Sequence, residues 1–192
     1  MTGVGELDRA VAEGQLVVIP TDTVYGLACR PDLEESVRTL SALKRRSPEQ
    51  PIAIVAASIE ALTELVPELD GRSVPRGPLT IVYPNPVLRL PWLTGARRSC
   101  PGVRLPDVRG EAAELLALVG AVAATSANLH GAADPGALTD VPREILDAVA
   151  GVLDAGVLPG TPSTVVDFTG PEPRVLREGA VPAAEALAQL RE

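Results

Sequence analysis

Residues 19–30 read IPTDTVYGLACR and follow Leu16, Val17 and Val18 directly. The fold turns on how this stretch is read. Val and Ile suit a pleated, buried strand, and Pro20 cannot donate to a ladder. A strand over 15–20 therefore runs into a cluster of side-chain oxygens, Thr21, Asp22, Thr23 and Tyr25, ahead of Gly26. In open α/β sheets ligands bind beyond the C-terminal ends of strands, where loops present side chains and free N–H groups to a crevice. The plainer reading of the same residues is a turn in which Asp and Thr satisfy local backbone groups.

Working outward, residues 6–13 carry a helical pattern closed by Gly14, before the strand at 15–20. Asp32 and Glu35 have capping-box spacing for a helix with Val37, Leu40 and Leu43 on one face, and its last turn delivers Lys44 and Arg46. PIAIVAAS (51–58) predicts a buried strand followed by an N-cap, Ser58, for the helix IEALTELV. LTIVYP (79–84) and GVRLP (102–106) are short strands, EAAELLALVG (111–120) a helix, and AVAATSAN (121–128) a strand running into a loop. A helix over 142–149, short strands in GVLDAG, STVVDF and RVLREG, and a helix over 182–191 complete the chain. Strands alternating with helices across tight Gly/Pro turns predict an α/β fold on a mixed, twisted sheet. No internal repeat or long linker divides the sequence, so a single domain over 1–192 is expected.

The 192 residues suffice for one well-buried core. Only four are aromatic (Tyr25, Tyr83, Trp92, Phe168), so that core is built from Val, Leu, Ile and Ala. No apolar run approaches the ~20 residues that span a bilayer, and the N-terminus lacks an apolar signal core, which predicts a cytoplasmic location away from membranes. Cys29 and Cys100 form no CxxC pair, and no metal site is expected. A net charge of −8 argues against holding nucleic acid by an overall field, despite short basic clusters at Lys44-Arg45-Arg46 and Arg97-Arg98. Sixteen basic residues are Arg and Lys44 is the only lysine. A compact ammonium does what a planar guanidinium cannot, so a lone lysine in an Arg-rich chain is a candidate for a specific task; a surviving surface lysine is the alternative.

Several activities are excluded. The lysine follows Leu43, not a Gly-rich loop, so there is no P-loop. One histidine, His130, is too few for the usual catalytic zinc sites, and no GxSxG elbow accompanies it. No GxGxxG follows a strand, so dinucleotide binding lacks support.

Four polar clusters remain beside apolar runs: PTDTVYGL (20–27), KRRSPEQP (44–51), ATSANLHG (124–131) and STVVD (163–167). Arg104 and Arg177 lie in similar strand-edge contexts. Gathered round one crevice they form a cleft with cations at its base and hydroxyls and an amide on its walls, suited to an oxygen-rich anion. IPTDTVYGLACR, KRRSPEQPIAIV, RGPLTIVYP, PGVRLPDV, AATSANLHG, STVVDFTG and RVLREGAV stand in an order and spacing that resembles the YrdC-type threonylcarbamoyl-AMP synthases, over about residues 10–181.

The resemblance implies a single-domain YrdC-like fold, a twisted mixed sheet flanked by helices with a central cationic cleft. It implies a nucleotidyltransferase that condenses L-threonine, bicarbonate or CO2 and ATP to threonylcarbamoyl-AMP and pyrophosphate, with Mg2+ carried on the phosphates. A separate transferase would pass the group to tRNA, with weak or no direct tRNA binding by this chain. The family's K-x-R and S-x-N elements map to a catalytic quartet, Lys44, Arg46, Ser126 and Asn128. ATP-contacting positions fall at Arg46, Gln50, Cys100, Ser126, Asp134 and Arg177, and threonine-contacting positions at Thr23, Arg104, Ala124 and Ser163. The chain departs from the usual pattern at Cys100, where Ser or Thr is common, at Gln50, where Asn or Lys is common, at Val55, where many relatives carry His, and at His130, where Ser is frequent. Two rival readings are a non-catalytic RNA-binding module of the same fold, for which stacking aromatics are lacking, and a carbamoyl-adenylate-forming domain, which normally belongs to a much longer chain.

Overall fold

In a computed structural model, which describes residues 2–96 and 101–190, the opening stretch folds as a hairpin. Strands β1 (Val17–Pro20) and β2 (Tyr25–Cys29) pair antiparallel with Pro20 opposite Tyr25, and residues 21–24 are the loop between them. The Thr21 hydroxyl builds that loop by accepting the N–H groups of Thr23 and Val24, both at 3.2 Å, and donating to the Val24 carbonyl at 2.8 Å. The turn reading therefore holds, and the picture of a strand simply ending at an open edge is corrected. β2 escapes the sequence reading because all five of its positions are buried, leaving none of the alternation that marks a half-buried strand.

The remaining elements are α1 (Val4–Ala12), α2 (Glu34–Leu43), β3 (Ala53–Ala56), α3 (Ile59–Leu65), β4 (Leu79–Val82), α4 (Pro91–Thr94), β5 (Gly102–Arg104) and α5 (Glu111–Val119). They continue with β6 (Ala121–Ser126), α6 (Arg143–Leu146), β7 (Gly151–Val152), β8 (Thr164–Asp167), β9 (Arg174–Arg177) and α7 (Ala183–Gln189). Among the described residues the strands form one mixed sheet in the order β7-β1-β2-β6-β3-β5-β4-β8-β9. Ser58 caps α3 as expected, accepting the Ala61 N–H at 3.3 Å. The capping box at Asp32 does not form. Leu33 occupies the N-cap position of α2, and the Asp32 carboxylate pairs with the Arg30 guanidinium through two bonds of 2.7 Å, a charged partner that outcompetes a backbone N–H. The helix expected over 142–149 shrinks to the four residues of α6, and α4 has no counterpart in the sequence reading.

The pleat sorts the strands' side chains onto two faces. Val18, Leu27, Ile54, Ile81, Val103, Ala123 and Val166 face the larger core, covered by α2, α3, α4, α6 and α7 through Leu40, Leu62, Leu93, Ile145 and Ala186. Val17, Ile19, Ala28, Val55, Val122 and Ala124 face the smaller core under α1 and α5, which contribute Leu7, Val11, Leu115 and Leu116. These two helices cover only one end of that face. The other end, across parts of β2 and β6 and over β3, β5, β4 and β8, is open and forms a cleft. No helix among the described residues is long and apolar enough to cross a membrane.

Candidate active site

The C-terminus of α2 explains how three consecutive basic residues take three directions. Arg45 adopts φ 54°, and the N–H groups of Arg45 and Arg46 return to the carbonyls of Ala42 and Ser41, each at 2.9 Å. This is a Schellman-type reversal with Arg45 at its left-handed position. Arg45 points outward to Glu144, 2.9 Å away. Lys44 turns into the protein and is 3% exposed, and Arg46 reaches the cleft.

The cleft encloses about 470 Å³. Its floor is made of small residues on adjacent strands, Gly26, Ala124, Ala53 and Gly102. The hairpin loop (Thr21, Thr23, Val24) and Arg104 form one wall, Arg46, Thr125, Ser126 and Asp134 a second, and Thr80, Ser163 and Arg177 a third. Arg104 and Arg177 are the last residues of β5 and β9, so strand ends place both guanidinium groups.

Of the expected quartet, Arg46 and Ser126 line the cleft, whereas Lys44 and Asn128 lie behind its wall. The Lys44 ammonium donates to the Ser126 carbonyl, to the Asn128 carbonyl at 2.6 Å and to Asn128 Oδ1 at 2.7 Å. Asn128 Oδ1 also accepts the Ser126 hydroxyl at 2.7 Å, and Asn128 Nδ2 donates to the Ala132 carbonyl at 2.6 Å and to Asp134 Oδ1 at 3.3 Å. The His130 N–H closes the loop on the Lys44 carbonyl at 3.0 Å. Lys44 thus serves the interior after all, as the clamp that shapes the 126–128 loop. Asn128 is not among the residues of positive φ, so its place is not explained by a left-handed turn.

Burial, and then the charge of Arg46, push the Lys44 ammonium down to about 8, against the opposing pull of Asp134. Arg46 is lowered by burial and by Arg177. Its Nη1 donates to Thr125 Oγ1 at 2.9 Å and its Nη2 to the Pro51 carbonyl, while the buried Nε–H meets no partner among the described residues. Arg177 donates through Nη2 and Nε to the Ser163 carbonyl, at 2.8 and 3.2 Å, and Ser163 Oγ lies 2.8 Å from Thr80 Oγ1. Arg104 is also lowered by burial, with Asp22 opposing.

Of the other expected residues, Ala124, Asp134 and Ser163 line the cleft, Thr23 lines it while itself fully buried, and Gln50 is half-buried outside the lining. Cys100, with Arg97 and Arg98, lies outside the described residues. Sequence reasoning placed Asp22 and Thr125 only within polar clusters, with no role of their own, and missed Thr80 in the cleft lining. Thr80 had a signal, a polar residue within the apolar run LTIVYP. The Asp22–Arg104 pair spans 82 positions and leaves no local trace. His130 is exposed, and burial pushes the Cys29 thiol up to about 12, which leaves it unreactive.

Residues 9–179 match the family model described as telomere recombination, Sua5/YciO/YrdC. A Mycobacterium tuberculosis (strain H37Rv) relative is 35% identical over 188 residues, 94% of this chain and 85% of the relative. The threonylcarbamoyl-AMP synthase of Pseudomonas paraeruginosa is 36% identical over 169 residues, 83% of this chain and 89% of the relative. The solved structure of Pyrococcus abyssi Sua5 complexed with L-threonine superposes with a TM-score of 0.82 at 30% identity over 95% of this chain, which spans only 55% of that longer protein. The chain belongs to the Sua5/YciO/YrdC family, that of the threonylcarbamoyl-AMP synthases.

Proposed function

We propose that this chain condenses L-threonine, bicarbonate or CO2 and ATP to threonylcarbamoyl-AMP, releasing pyrophosphate, in the route to threonylcarbamoyl-modified tRNA. The observation that carries the reading is the convergence of Arg46, Arg104 and Arg177 on one cleft whose walls otherwise offer hydroxyls and small side chains. The cleft is cationic in this reading. Threonine's amine adds to CO2, and the carbamate oxygen then attacks the α-phosphorus of ATP while the bond to the pyrophosphate oxygen breaks. Two anions must meet, and fixed guanidinium groups lower that repulsion before reaction begins.

The triphosphate lies toward Arg46 and Arg177, whose guanidinium groups line the cleft and have no carboxylate partner among the described residues. Threonine lies toward Arg104, Ser163 and the hairpin loop. Ser126 contacts the nucleotide, and Lys44 and Asn128 act by holding Ser126 and Asp134. Mg2+ travels on the phosphates; among the described residues no cluster of three His, Cys, Asp or Glu supplies a site of its own, and Asp134 is the carboxylate within reach of that end. The product leaves for a separate transferase.

The test is pyrophosphate release by the purified chain with Mg-ATP and bicarbonate. Release that requires L-threonine is expected. Release that needs a carbamate donor such as carbamoyl phosphate in place of threonine would point to carbamoyl-adenylate formation, and no release under any combination would remove the enzymatic reading.

A further inference from the structure

Among the described residues three guanidinium groups face the cleft, and one of them has a carboxylate of its own. Arg104 Nη2 pairs with Asp22 Oδ1, with side-chain exposures of 8% and 10%. Asp22 Oδ2 accepts the Asp107 N–H at 3.0 Å, so both of its oxygens are held. Asp22 does not itself line the cleft. Among the described residues neither Arg46 nor Arg177 makes an ion pair; their partners are hydroxyl and carbonyl oxygens.

The protons round Arg104 can be followed one by one. Its Nε–H goes to the Gly77 carbonyl at 3.3 Å, and Nη1 and Nη2 each donate to Thr23 Oγ1, at 3.1 and 3.2 Å. The Thr21 hydroxyl proton goes to the Val24 carbonyl, and Thr23 Oγ1 lies 2.9 Å from Thr21 Oγ1, which also faces the N–H groups of Thr23 and Val24. Four of the five guanidinium N–H groups are engaged, and one on Nη1 remains.

The two ends of the cleft therefore differ in charge. Arg46, with Lys44 behind it, faces Asp134 at one end, Arg104 and Asp22 cancel at the other, and Arg177 lies between them, its charge felt by both Arg46 and Arg104. We infer that Asp22 is the specificity-determining and positioning residue of the amino-acid end. It aligns the remaining Arg104 N–H for a carboxylate and cancels the charge that would otherwise attract a phosphate group, so that a zwitterionic amino acid is admitted and the polyanion goes elsewhere. This rests on the reading of the cleft as a joint threonine and ATP site.

Calorimetric titration of L-threonine, with and without inorganic pyrophosphate as the polyanion probe, tests it in the wild type, Asp22→Asn and Asp22→Glu. In the wild type, pyrophosphate should leave threonine affinity within about twofold; Asp22→Asn should weaken threonine by about tenfold and make pyrophosphate compete with it, as expected for one charge-assisted contact. Asp22→Glu, which keeps the charge, should retain the wild-type independence from pyrophosphate. Competition already present in the wild type would overturn the inference without any variant. So would a folded Asp22→Asn protein with unchanged threonine affinity. Failure of the functional reading shows separately, as a wild type without threonine-dependent pyrophosphate release.

Discussion

Lys44 shows how one side chain's chemistry is chosen by its surroundings. Three oxygens stand around its nitrogen, an arrangement that fits the tetrahedral N–H groups of an ammonium and not the planar fork of arginine. Lys44→Arg and Lys44→Met should each lower turnover by about 10²-fold, because the 126–128 loop that carries Ser126 loses its clamp and a misplaced contact costs that much. The pH dependence follows from the downward shift to about 8. The folded protein loses this proton before the unfolded chain does. The cost of burying the cation is therefore fully present below about 8 and is relieved as pH rises toward lysine's ordinary 10.5, so stability gains with pH in that window. Activity moves the opposite way, since the clamp works through the ammonium. The kcat/KM profile should fall as pH rises through about 8 in the wild type. That alkaline limb should vanish in Lys44→Arg, and its persistence there would detach it from Lys44.

Between β9 and α7 the chain makes a turn whose tightness sets Ser163. A Cβ on Gly179 would lie 2.1 Å from the Pro162 carbonyl oxygen and 2.7 Å from the Ser163 backbone. The neighbouring Ala180 N–H bonds Pro162 O at 2.8 Å, and the Gly179 N–H bonds Thr164 Oγ1 at 2.8 Å. Gly179→Ala must push two backbones apart, which should cost about 1–3 kcal/mol of stability. Threonine affinity should weaken more than ATP affinity, because Ser163 moves with the strand. Gly170→Ala is the control, since its nearest contact would be an ordinary 3.8 Å. Thermal unfolding with parallel titrations of both ligands checks this, and equal melting temperatures for the two variants would sink it. The element boundaries here were legible in STVVDF and RVLREG. The contact between them was not, because it depends on β8 and β9 pairing with a register shift between Val165 and Val166.

At the scale of the molecule, the cleft exists because α1 and α5 cover only part of one sheet face. Ligands that share this space and bind only the folded state stabilise it by mass action. ATP and L-threonine together should therefore raise the melting temperature by more than the sum of their separate effects. A short RNA should give a shift at low salt that disappears at physiological salt, as the net charge of −8 implies. An RNA shift that survives physiological salt, with no joint shift from ATP and threonine, would favour the RNA-binding module.

What the sequence determined by itself was local. Hydrophobic runs, Gly/Pro turns and the Ser58 cap marked most strands and helices, because their periods and caps are properties of consecutive residues. The oddity of a single lysine, and the polar clusters beside four apolar runs, marked most of the residues that gather at the cleft. Only the tertiary structure decided their roles. It put Lys44 and Asn128 behind the wall, made Thr23 a support for Arg104 and tied Asp22 to a strand end 82 residues away. Those outcomes depend on which acceptors lie within hydrogen-bonding distance and how deeply each charge is buried. Both are set by sheet order and by a helix that ends in a left-handed turn, and neither is encoded in the spacing of neighbouring residues.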